Sequence, residues 1–240
     1  MNSIEVCFSP KLFDLYSSKE KIIVIVDILR ATTMITTMIE KGAEKIIPVR
    51  TLEEALDYKK KGFLVVAERN GKKVDFADFD NSPFSFKSEK VIGKTLVYSS
   101  TNGTNTINLV KNSETILIAS FLNLSTVSEY LSNERKDILI LCSGWNENYC
   151  IEDSLFAGAL AIDLINKGQF NTKCDSTLAS IDLWNLAKKD LLKNVQKIFQ
   201  YKRLKDFGFK QILDYCFQLD VSKVIPVYKD EIIINLASLR

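Results

Sequence analysis

Asp27 and Arg30 stand three positions apart, and Thr32 and Thr33 follow at once, in the run KIIVIVDILRATTMITT from 21 to 37. A guanidinium binds phosphate or carboxylate oxygens through a fork of N–H donors. A carboxylate beside it can hold a hard metal ion or handle a proton. Two readings of the pattern stand together. In one, Asp27 and Arg30 pair with each other and Thr32 caps the helix that follows. In the other, all of them face an anionic ligand at a helix N-terminus.

Further polar groups collect after other apolar runs. Glu68 follows FLVVA, SSTNGTNT occupies 99–106, SFLN occupies 120–123, and Cys142-Ser143-Gly144 ends DILILC. Gly103 lets backbone N–H groups approach a ligand, and Thr101, Asn102 and Thr104 add side-chain donors. The spacing is neither G-x-x-x-x-G-K-[ST] nor G-x-G-x-x-G. Glu152-Asp153 opens a helix. Asp153 reads either as its N-cap or, with Glu152, as a metal ligand beside Asp27 and Glu68. Mg²⁺ takes a few carboxylates, water and substrate oxygens, so the set suits a phosphate-ester or phosphoryl-transfer site.

The elements that must position these groups alternate. Ile22 to Val26 is an unbroken β-branched run, as in a strand buried on both faces. Helical spacing follows from Met34 to Ile39 and stops at Gly42. Ile4 to Phe8, Lys45 to Val49, Phe63 to Ala67, Thr95 to Tyr98, Thr115 to Ala119 and Asp137 to Cys142 read as further strands. Helices start at Thr51, near Ser125 and near Asp153, and the 70–93 loop packs through its phenylalanines. The expected fold is three-layer α/β/α with a largely parallel sheet, a helical last third (176–216) and a short terminal strand pair (224–227 and 231–235). The 1–240 chain reads as a single domain, with a weak subdivision near residue 170. In a parallel sheet the polar clusters would all face one rim, the carboxyl ends of the strands, where ligands sit.

Composition narrows the chemistry. The 240 residues contain no histidine, which removes Ser-His and Cys-His nucleophilic machinery and imidazole metal sites. The five cysteines form no C-x-x-C, so neither zinc nor a disulfide framework is indicated. Cys142, with no base to deprotonate it, reads as a small buried hydrophobe, and Trp145 and Trp184 as packing residues. A net charge of +2 gives no nucleic-acid footprint. No apolar run is long enough for a membrane span or signal peptide, so no membrane association and a cytoplasmic location are expected. Helices of the last third are the candidate surface for a homodimer.

VDILRATTMITTMIEKGAEKIIPV resembles the signature of the 2-phosphosulfolactate phosphatase (ComB) family. The similarity continues through AERNG, DNSP at 80–83, STNGT at 100–104, ASFLN at 119–123 and CSG…IEDSLFAG at 142–158. The resemblance implies an Mg²⁺-dependent phosphoric monoester hydrolase on an α/β/α fold. Its substrate would be 2-phosphosulfolactate, cleaved to sulfolactate and phosphate in coenzyme M biosynthesis. It adds Asn81 and Ser82 to the candidate substrate-binding residues Thr32, Thr101, Asn102, Gly103, Thr104 and Asn123. Asp27, Arg30 and Asp153 are the catalytic candidates, and Asp27, Glu68, Glu152 and Asp153 the metal candidates. Three departures stand out: Asp80 where the family has glycine, Ala119 where glycine is expected, and no Ser-x-His near Gln200 to Arg203. Those departures keep two alternatives open: a phosphatase for another small phosphorylated acid, and a non-catalytic small-anion-binding relative.

Overall fold

The structure, a computed structural model, describes residues 1–16, 20–69 and 71–239. Asn70 of the AERNG run lies outside the described residues. The chain opens with β1 (Asn2–Cys7), β2 (Ile22–Val26), α1 (Ala31–Glu40), β3 (Lys45–Pro48), α2 (Leu52–Lys60), β4 (Leu64–Arg69) and β5 (Lys72–Lys73). Next come α3 (Ser88–Val91), β6 (Thr95–Ser99), α4 (Gly103–Leu109), β7 (Thr115–Ala119), α5 (Leu124–Glu134), β8 (Ile138–Cys142), α6 (Ile151–Asn166) and β9 (Phe170–Asn171). The last part holds α7 (Asp175–Ala187), α8 (Leu191–Val195), α9 (Phe199–Asp206), α10 (Lys210–Cys216), β10 (Pro226–Lys229) and β11 (Ile232–Asn235).

Every residue of β2 is buried, as its β-branched run requires, because strands cover both edges and helices both faces. Burying each such side chain contributes roughly 2 kcal/mol. α2 begins as its sequence dictates: the Thr51 hydroxyl accepts from the Glu54 N–H at 3.1 Å while Glu54 reaches back to the Thr51 N–H, and lysines close the last turn.

The described strands form one mixed sheet in the order β5-β4-β6-β3-β11-β10-β7-β2-β8-β1-β9. It contains two parallel blocks, β4-β6-β3 and β7-β2-β8-β1-β9. The terminal hairpin sits between them, pairing antiparallel to β7 on one side and to β3 on the other. The two blocks therefore run opposite ways across the hairpin. The 70–93 loop packs as expected, with Phe79 and Phe86 buried 5.7 Å apart. Gly158 of α6 meets the backbone of α7 so closely that a Cβ there would stand 1.9 Å from the Ser180 carbonyl oxygen.

In a flat sheet of this order, Asp27 after β2 and Ser99 after β6 would face opposite rims. They do not. A Cβ on Gly103 would lie 2.3 Å from the Ala31 Cβ and 3.1 Å from Asp27 Oδ2, so the turn after β6 touches the turn after β2. Twist accumulated across the intervening strands brings the two carboxyl ends together. The shared rim expected of a parallel sheet is thus a meeting of two blocks. Among the described residues, no helix is long and apolar enough to cross a membrane.

Candidate active site

Asp27 directly follows β2 and is 6% exposed. Its Oδ1 accepts from the Ala31 N–H at 3.2 Å, the first turn of α1. Thr32 stitches this corner twice, donating from Oγ1 to the Asp27 carbonyl at 2.9 Å and accepting from the Asp27 N–H at 3.0 Å. Thr32 is fully buried, so its hydroxyl is committed to the turn and does not cap the helix. Burial pushes Asp27 up to about 7; the Ala31 N–H and Arg30 oppose the shift, and the Glu68 charge adds to it.

Arg30 makes no ion pair with Asp27 or any other described carboxylate. Its guanidinium donates to the Asn81 carbonyl at 2.7 Å and the Gly71 carbonyl at 3.5 Å, and lies 4.8 Å from the Phe209 ring. At 5% exposure, a cation held only by neutral groups is suited to an incoming anion. Asn81 is itself fixed, its Oδ1 accepting from the Tyr98 hydroxyl at 3.0 Å.

Glu68 spends its carboxylate on the neighbouring turns. Oε2 accepts from the Gly71 N–H at 2.7 Å, and Oε1 from the Thr101 N–H and hydroxyl at 3.1 and 3.0 Å. Asp153 acts likewise at the other end of the site. Its oxygens accept from the Ile28 N–H at 2.9 Å and the Gly144 N–H at 3.0 Å, joining the turns after β2 and β8. Burial and the charges of Glu152 and Asp27 hold Asp153 well above ordinary carboxylate values. The N-cap of α6 is Cys150, so Asp153 lies inside the first turn.

One cleft gathers Asp27, Arg30, Glu68, Asn81, Thr101 and Asn102 with Ser100, Trp145 and Arg203. The other expected site residues, Thr32, Ser82, Gly103, Thr104, Asn123, Glu152 and Asp153, lie outside its lining. Ser82 accepts from the Phe84 N–H, Thr104 exchanges hydrogen bonds with Ser100, and Asn123 joins Ser120 to the Val224 carbonyl. Gly103 stands directly behind Asp27. The departures from the family pattern settle locally. Asp80 accepts from the Ser85 hydroxyl, and Ala119 is buried inside the sheet beside Val26. Of the 200–203 run, Lys202 points to solvent and Arg203 lines the cleft.

Trp145 was readable only as a packing residue; it forms part of the cleft wall with Arg203 5.1 Å from its ring. No local signal separates it from Trp184, which stacks on Phe121 at 5.9 Å. Cys142 is fully buried, and burial drives its thiol well up, leaving it inert.

Among the described residues, no group of three or more acidic or thiol side chains is placed as a ready metal cage. Glu68 and Asp153 already accept backbone N–H bonds on both oxygens. Glu152 differs: it is 2% exposed and its Oε2 has no hydrogen-bond partner among the described residues. Burial pushes Glu152 up to about 7, with the Asp27 charge adding to the shift. The Asp27 charge raises Glu152, and both raise Asp153; together with the orphaned Glu152 oxygen, this fits a divalent cation held by one or two carboxylates with water and substrate oxygens.

The family model for 2-phosphosulpholactate phosphatase matches residues 7–231. A probable 2-phosphosulfolactate phosphatase of Thermotoga maritima is 37% identical over 203 residues, covering 85% of this chain and 87% of its own. Another, from Caldanaerobacter subterraneus subsp. tengcongensis, is 34% identical over 219 residues and 90% of each chain. A third, from Clostridium perfringens, is 34% identical over 234 residues, 95% of this chain and 94% of its own. By this match over nearly its whole length and by these relatives, the chain belongs to the 2-phosphosulfolactate phosphatase family, whose members are phosphoric monoester hydrolases.

Proposed function

We propose that this protein hydrolyses 2-phosphosulfolactate to sulfolactate and phosphate, with Mg²⁺ as cofactor. The observation that carries the reading is Arg30, a buried guanidinium without an acid partner among the described residues that lines the same cleft as Asp27. Its N–H groups bind the phosphate oxygens and offset charge as the phosphorus–ester bond breaks. Asp27 and Glu152 are the residues that would hold the cation, which would neutralise phosphate charge and activate a water. Glu68 holds the Thr101 turn against the cleft, and Asp153 holds the Asp27 turn, so the reacting groups are fixed before substrate arrives. The water oxygen bonds to phosphorus as the ester oxygen leaves. The proton that water loses balances the one the alcohol gains.

Phosphate release from 2-phosphosulfolactate tests this directly. Turnover with Mg²⁺ that stops in EDTA and returns on adding Mg²⁺ is expected. Turnover unchanged by EDTA would remove the metal. Release from another phosphorylated acid but not from this one would keep the chemistry and discard the named substrate.

A further inference from the structure

We propose that Arg203 is the specificity-determining residue of the cleft, receiving a second oxyanion, sulfonate or carboxylate, on the alcohol side of the phosphate ester. The assignment rests on the phosphatase reading of the same cleft. Two guanidiniums line that cleft, and neither has a carboxylate partner among the described residues. They are anchored separately. Arg30 is held by the Gly71 and Asn81 carbonyls and Phe209. Arg203 is held by α9, the Gln200 side chain and the rings of Trp145 and Phe207.

The way Arg203 is held leaves its binding edge open. Nε donates to Gln200 Oε1 at 2.8 Å, while Trp145 and Phe207 lie 5.1 and 5.9 Å from its carbon. Ring contacts fix the plane of a guanidinium without using its donors. Neither terminal nitrogen bonds to a described residue, so both remain as a fork for two oxygens of one anion. A phosphate satisfied by Arg30 does not need that fork, whereas a substrate bearing another oxyanion does. An ester with a neutral alcohol would leave Arg203 desolvated and unpaired, which selects against it.

The test is calorimetric binding of sulfolactate, lactate and inorganic phosphate to the intact protein, its Arg203→Ala variant and its Arg203→Lys variant. Thermal unfolding of each variant confirms that it is folded, and Arg203→Lys, which keeps charge and stem but loses the fork, serves where Arg203→Ala does not fold. Arg203→Ala is expected to weaken sulfolactate roughly tenfold to a hundredfold more than it weakens phosphate. A matching loss for lactate identifies the carboxylate as the group received, and a loss confined to sulfolactate identifies the sulfonate. Equal losses for sulfolactate and phosphate would overturn the proposal, because both arginines would then share the phosphate. Unchanged or undetectable sulfolactate binding would overturn it too. Phosphate release from the ester is measured alongside. Its absence from the wild type, with the binding contrast intact, would remove the catalytic reading and leave Arg203 assigned.

Discussion

Asp27 and Asp153 carry the same group and are buried to similar depth, 6% and 2% exposed, yet their surroundings give them different tasks. Asp153 accepts N–H groups from two separate turns and joins them. Asp27 accepts one within its own turn and lines the cleft. Asp153→Ala is therefore expected to cost about 3 kcal/mol, since two buried backbone donors lose their acceptor. Urea unfolding measures it, as a lower midpoint with the slope unchanged. A midpoint equal to wild type would show that the joint is not structural. The sequence could name both residues because each follows or precedes an apolar run. It placed Asp27 ahead of Asp153 but could not show that Asp153 is a joint between turns, because hydrogen bonds between segments 125 positions apart carry no local pattern.

At the scale of elements, the N-terminus of α4 packs closely against the Ala31 turn. Gly103→Ala would place a methyl group 2.3 Å from the Ala31 Cβ and 3.1 Å from Asp27 Oδ2. The backbone must move, and Asp27 with it. Phosphate release is expected to fall roughly a hundredfold while the fold persists, because a shift of about 1 Å costs that much positioning. Full activity in the alanine variant would place Asp27 outside the reacting geometry. The strands and helices themselves were legible from apolar runs, caps and glycines: α2 begins after Thr51 and stops at Gly62, whose φ is +85°. The terminal strand pair was legible too, though with the turn expected at Lys229-Asp230; Lys229 pairs inside β10 and the hairpin turns at Asp230 and Glu231. Its seat between β7 and β3 was not, because register across a sheet is set by partners distant in sequence. Between Lys202 and Arg203, either of which could stand where the family carries its histidine, the choice was not legible for a similar reason: only packing shows that Arg203, and not Lys202, turns inward.

Over the whole molecule, the site exists because two oppositely running blocks of one sheet converge, one supplying Asp27 and Arg30, the other Glu68 and the 100–102 turn. That convergence buries carboxylates together, with a consequence for stability. In the metal-free protein Asp27 and Glu152 stand at about 7, raised from ordinary values near 4 in the unfolded chain. Folded protein thus binds more protons than unfolded protein between those values. The stability this contributes is fully present below about pH 4 and lost as pH rises through about 7. The thermal midpoint in EDTA is expected to fall by several degrees from about pH 5 to about pH 8. Millimolar Mg²⁺ is expected to restore most of that loss at the upper end. A midpoint that rises with pH in EDTA would contradict the burial of unpaired carboxylates. The measurement that bears most directly on the central claim is phosphate release from 2-phosphosulfolactate by Asp27→Asn beside wild type, both shown to be folded. A loss of about a thousandfold or more, with thermal stability kept or raised, is the predicted result. Turnover within a few-fold of wild type would contradict the account and move the reacting centre away from this cleft.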